Sequence, residues 1–153
     1  MKKIMLGSLS AALLATSLNA AAVDLEEAIE YRQAGYKFMA WNMGKIAAAV
    51  EGEVEWNLTQ IQAAANSIAG IANSGMGALY LPGTDKDVGN TKTRVKPEMF
   101  TDVEGVTEVG IAFNKAANEL AAAAQGGDRN TIASAFRDAG AGCKGCHDKF
   151  RMD

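Results

Sequence analysis

The chain's only two cysteines and its only histidine stand within five residues of one another, in Cys143-Lys144-Gly145-Cys146-His147. C-x-x-C-H is the attachment signal for a c-type haem. The spacing has a physical reason. On a helix, residues three apart share a face, so both thiols can reach the two vinyl groups at one porphyrin edge and add across them as thioethers. The histidine next to the second cysteine can bring its imidazole under the iron, and Gly145 leaves room for the porphyrin beside the backbone. A structural zinc site needs four protein ligands, and there is no further Cys or His to complete one. A thioredoxin-like redox pair belongs in a βαβ setting. A disulfide between these two residues would close too small a loop to restrain the unfolded chain.

The single histidine excludes bis-histidine ligation. The sixth iron position falls to methionine, lysine, another weak ligand, water or nothing. An electron-transfer haem usually has two strong axial ligands, often His and Met, and Met39 or Met43 would then supply the second. A gas-binding haem needs that position open or weakly blocked. No acid–base pair stands beside the motif to suggest turnover, so an enzyme is not expected.

The elements that must position these residues read as all-α. Prolines are few, Pro82 and Pro97, and alanine runs recur at 47–49, 63–65 and 121–124; alanine is the strongest helix former. Capping signals divide the chain. "DLEE", with Asp24 as cap, opens a first helix to about Val50. "NLTQ", capped by Asn57, opens a second that fails near "NSGMG". (Asn57-Leu58-Thr59 is also a glycosylation sequon, but the cap is the preferred reading.) "TDVE" at 101–104 opens a third, which stops at Gly126-Gly127, and Asp128 caps a fourth to about Phe150. Residues 81–97, rich in turn formers and charge, form a long loop.

Ile29, Tyr36, Met39, Met43, Ile46 and Val50 recur at three, four or seven residues and predict a buried stripe on the first helix. Val106, Val109, Phe113 and Leu120 do the same on the third. Four helices of roughly 18–27 residues with two short connections and one long one predict an antiparallel four-helix bundle.

The start of the chain speaks to place. Lys2 and Lys3 precede the apolar run "IMLGSLSAALLATSL", and small residues follow before the first acids. This is the layout of a secretory signal peptide over residues 1–22, with cleavage after Ala20 or Ala22. The run is shorter than the ~20 residues a membrane span needs, so no membrane association is expected after signal removal. Residues 23–153 then form one haem c domain. Losing the signal takes the formal charge from −3 to −5, and an acidic domain is a poor partner for nucleic acid.

The chain resembles the cytochrome c′ family, in particular members from purple sulfur bacteria. "YRQAGYKFMAWNMGKI" is similar to its first helix, "SGMGALYLPGT" to its mid-chain segment, "TRVKPEMF" to its approach to the third helix and "GAGCKGCHDKFR" to its haem-bearing end. The resemblance implies an up-down-up-down bundle in the periplasm. It implies that Cys143 and Cys146 hold the haem and that His147 is the proximal ligand. Arg32 and Gln33 match residues at the haem edge near a propionate, and Arg151 matches the basic residue beside the proximal histidine. Tyr36 matches the distal position, where the family places a bulky non-coordinating side chain; low-spin relatives carry methionine there. Phe150 departs from the tyrosine expected before that arginine. The implied function is binding of small gases, nitric oxide first and carbon monoxide as well, by a five-coordinate iron whose distal tyrosine is displaced. A homodimer through the first two helices is also implied, on faces including "GKIAAAVEG" and "IQAAANSIAG".

Overall fold

A computed structural model describes residues 23–153. The signal-like segment 1–22 lies outside the described residues. Four helices account for the fold: α1 (Leu25–Glu51), α2 (Leu58–Ala72), α3 (Val103–Gly126) and α4 (Arg129–Phe150). Among the described residues there are isolated β-bridges but no strand. The chain is an up-down-up-down four-helix bundle, all-α as its sequence predicts.

The helix ends follow their capping chemistry. The carboxylates of Asp24 and Asp128 and the amide of Asn57 each accept from a backbone N–H of the first turn they precede, at 2.8–3.1 Å. Each thereby satisfies one of the donors that a helix start leaves free. The third helix corrects the sequence reading by one position. Asp102, not Thr101, is its cap, accepting from Gly105 N at 2.9 Å; the loop's final 3-10 turn, Pro97–Phe100, holds Thr101 in its own hydrogen bonding. Gly52 and Gly127 end α1 and α3 in the left-handed region at φ 78°, a conformation glycine adopts without a Cβ penalty. Helix α2 runs from its predicted cap to its predicted stop at Asn73; at 15 residues it is shorter than the 18–27 expected of each helix.

The core is alanine-rich. Ile46, Ile61, Ile68, Leu120 and Ile132 interleave with Ala64, Ala65, Ala117, Ala124 and Ala139, all essentially inaccessible. Met39 belongs to this cluster, and Met43 packs against it. The predicted stripe of α1 therefore holds at Ile29, Met39 and Ile46 but fails at Tyr36, which is 39% exposed. Sequence neighbours pack tightly along their lengths, whereas α1 meets α4 over much less.

The loop from 73 to 102 straps the looser seam. Its first 3-10 turn, Met76–Leu79, lies on α1, and its second touches α3 and α4. Glu26 of α1 accepts from Asn90 N at 2.9 Å and from the Thr91 hydroxyl at 3.1 Å. At the other end Val95 bridges to Arg151, Lys96 N donates to Phe150 O at 2.9 Å, and Met152 N donates to Arg94 O at 2.8 Å. One loop thus ties the start of α1 to the end of α4.

Candidate haem site

Cys143 and Cys146 sit one turn apart on α4, half-buried, and are not joined to each other. Burial pushes both thiol pKa values up, and Cys146 adds to the rise at Cys143. Reactive redox thiols need the opposite, an electropositive setting that favours thiolate. Among the described residues no group of three or more His, Cys, Asp or Glu is arranged to hold a metal.

The two glycines of this stretch show how α4 is oriented. A Cβ built on Gly142 would lie 3.2 Å from Phe113 Cα, so that side of α4 is pressed against α3. A Cβ on Gly145 would meet no atom within 4 Å. The cysteine-bearing turn is thus packed on one side and open at Gly145, as a covalently held planar group requires. His147 follows, exposed, in the last turn of α4. Its carbonyl accepts from Arg151 N at 3.1 Å. The residues present fit a haem c.

Across the seam, α1 contributes Arg32, Gln33 and Tyr36. The Tyr36 hydroxyl is 3.1 Å from that of Tyr80, which follows the loop's first 3-10 turn. Burial raises the pKa of both phenols. Tyr36 is also raised by Cys146 and Cys143, and Tyr80 by Cys146. The tyrosine pair therefore lies near the thiols. Tyr80 went unnoticed in the sequence; a lone aromatic after a glycine-rich turn carries no periodic signal, and only the fold brings it to Tyr36.

Arg32 is 2% exposed and has no carboxylate partner. Its Nη1 donates to Thr84 Oγ1 at 2.6 Å and Leu79 O at 3.3 Å, and its Nη2 donates to Thr84 O at 2.6 Å and Thr93 Oγ1 at 2.8 Å. Its guanidinium carbon lies 4.7 Å from the centre of the Tyr80 ring, within cation–π range. Burial lowers its pKa, with Tyr80 and Tyr36 acting in the opposite direction. Gln33 Nε2 donates to Lys92 O at 2.6 Å. Both residues of α1 therefore hold the loop. Arg151 and Phe150 end α4; Phe150 is buried and Arg151 exposed.

Paired thiols on an open helix face, a histidine after them and a tyrosine pair nearby, all in an antiparallel bundle, define a class: four-helix haem c proteins. The chain belongs to the cytochrome c′ family, whose model matches residues 27–151. It is 58% identical over 138 residues to the cytochrome c′ of Allochromatium vinosum, covering 90% of this chain and 88% of that one. A solved structure 56% identical, with TM-score 0.84 over 87% of this chain and all of that one, is described as a cytochrome c′ with an unusual ligand-controlled dimer dissociation. More distant structures, of variants of the Alcaligenes xylosoxidans protein, are carbon monoxide and nitric oxide complexes. Each is 30% identical, with TM-score 0.75 over 86% of this chain and 98% of that one.

Proposed function

We propose that this protein is a periplasmic, non-enzymatic carrier or sink for small diatomic gases, nitric oxide foremost and carbon monoxide also. The haem would supply an iron able to bind a gas. Cys143 and Cys146 hold that group covalently and His147 is its protein ligand. Tyr36 covers the distal side without coordinating and must move aside for a ligand. Arg32 and Gln33 lie on the same stretch of α1, where the resemblance places a propionate, while their side chains hold the loop.

The observation that carries this reading is the partition of α1. Tyr36 stands outside the core, 39% exposed and near the thiols, whereas Met39 is in the alanine-rich core and Met43 is packed against it. A methionine committed to the core is a poor sixth ligand. The complexes of the Alcaligenes protein agree with gas as the ligand class.

The outer face of α1 and α2 supports a homodimer. Phe38 and Trp41 are 49% and 58% exposed. Gly44 and Gly70 leave open space around the backbone, which lets a second copy approach closely. Gas binding and dimerisation are then coupled through α1, and the coupling is reciprocal. The layout of residues 1–22 supports export to the periplasm.

The reduced visible spectrum tests the reading. Broad high-spin bands are expected, and sharp α and β bands would instead make the protein an electron carrier with a methionine ligand. Tyr36→Ala should raise carbon monoxide affinity. Sedimentation of the ferrous parent should show carbon monoxide weakening the dimer, by the order of 1–3 kcal/mol typical of such couplings.

A further inference from the structure

Tyr80 touches α1 at two points one turn apart. Its hydroxyl meets that of Tyr36 at 3.1 Å, and its ring lies under the guanidinium of Arg32. Residues four apart on a helix are surface neighbours, so one loop side chain engages both. Its backbone is held as well: Tyr80 N donates to Gly77 O at 3.2 Å, and Arg32 grips the loop on both sides, at Leu79 and Thr84. The Tyr36 hydroxyl has no other hydrogen-bond partner among the described residues.

We propose that Tyr80 is a positioning residue for the distal gate, a latch whose hydroxyl holds Tyr36 over the haem and so sets gas affinity. This rests on the reading of Tyr36 as the gate. When Tyr36 swings away to admit a gas, the bond between the two hydroxyls breaks. That loss opposes binding. A chain with tyrosine at 36 but no hydroxyl at 80 would have the same bulk over the iron and a weaker hold on it. The loop, through Arg32 and Tyr80, thereby acts on a ligand it does not touch.

The test uses ferrous holoprotein and carbon monoxide. Tyr80→Phe keeps the ring under Arg32 and removes the latch. It should raise affinity about two- to tenfold, the worth of one hydrogen bond, and should have no effect in a Tyr36→Phe background. Tyr36→Phe alone should raise affinity by a similar factor, which tests the same bond from the other end should Tyr80→Phe fold poorly. Thermal unfolding of ferric holoprotein without gas gives a second readout: the two single variants and the double variant should lose the same stability. A rise in Tyr36→Ala with no change in Tyr80→Phe overturns the latch and leaves the gate standing. Unchanged affinity in Tyr36→Ala overturns the gate and the latch together, and additive stability losses overturn the latch alone.

Discussion

The two ends of this bundle are held by different forces. Around Ile46, Ile61, Leu120 and Ile132, cohesion comes from aliphatic and alanine side chains that let helices approach closely. Around Arg32, Thr84, Thr93 and Tyr80, it comes from hydrogen bonds, and the participants are loop and helix in equal part. The first arrangement is dense and leaves no room. The second leaves the α1–α4 seam loose and ties it from outside with a strap. An apolar core packed to full density cannot admit a large cofactor. A polar strap keeps the helices in place while leaving the cysteine face open.

Variants at each end should respond differently. The largest effect is expected at the open end: Cys143→Ala or Cys146→Ala would remove one of the two thiols proposed to hold the haem. Covalent haem in purified protein should fall to poor or singly attached product, read by haem staining and mass. In the dense end, Leu120→Ala should cost about 2–5 kcal/mol, the range for a buried leucine, read by denaturant unfolding of holoprotein. It should leave the visible spectrum unchanged. In the strap, Arg32→Met leaves the Leu79 and Thr84 carbonyls without their donors, a loss of about 1–3 kcal/mol. Its signature should be local, with faster hydrogen exchange in residues 79–93 and little change in α2 and α3.

The tyrosines predict an alkaline limit. Folding raises the pKa of Tyr36 and Tyr80 above the ordinary value of about 10. The unfolded chain therefore loses these protons first. Their contribution to stability is fully present below pH ~10 and is lost as pH rises towards their folded pKa values. Unfolding measured from pH 9 upward should show this decline, and Tyr80→Phe should flatten it. The smallest effect is expected for Met39→Leu, nearly volume-conserving, at under about 1.5 kcal/mol with no spectral change. A lost low-spin signal there would move a core residue into the haem site and erase the contrast.

Much of this was legible in the residues. Three of the four caps, the glycine stops and the motif at 143–147 are local chemistry, and local chemistry needs no neighbours to be read. Thr101 and Asp102 are both good caps for α3, and only the preceding 3-10 turn chooses between them. Tyr36 was read into the buried stripe since periodicity cannot distinguish a face that meets a helix from one that meets an open seam.

The helices, their order and the C-x-x-C-H motif can be read from the residues alone, because each depends on residues near in the chain. Only the tertiary structure decided which methionine is core, that Arg32 is buried without an acid, and that Tyr80 meets Tyr36 from 44 residues away. Those facts depend on how a 30-residue connection, 73–102, folds across the bundle. Such a path is set by the sum of many weak polar contacts, and no short stretch of residues encodes it.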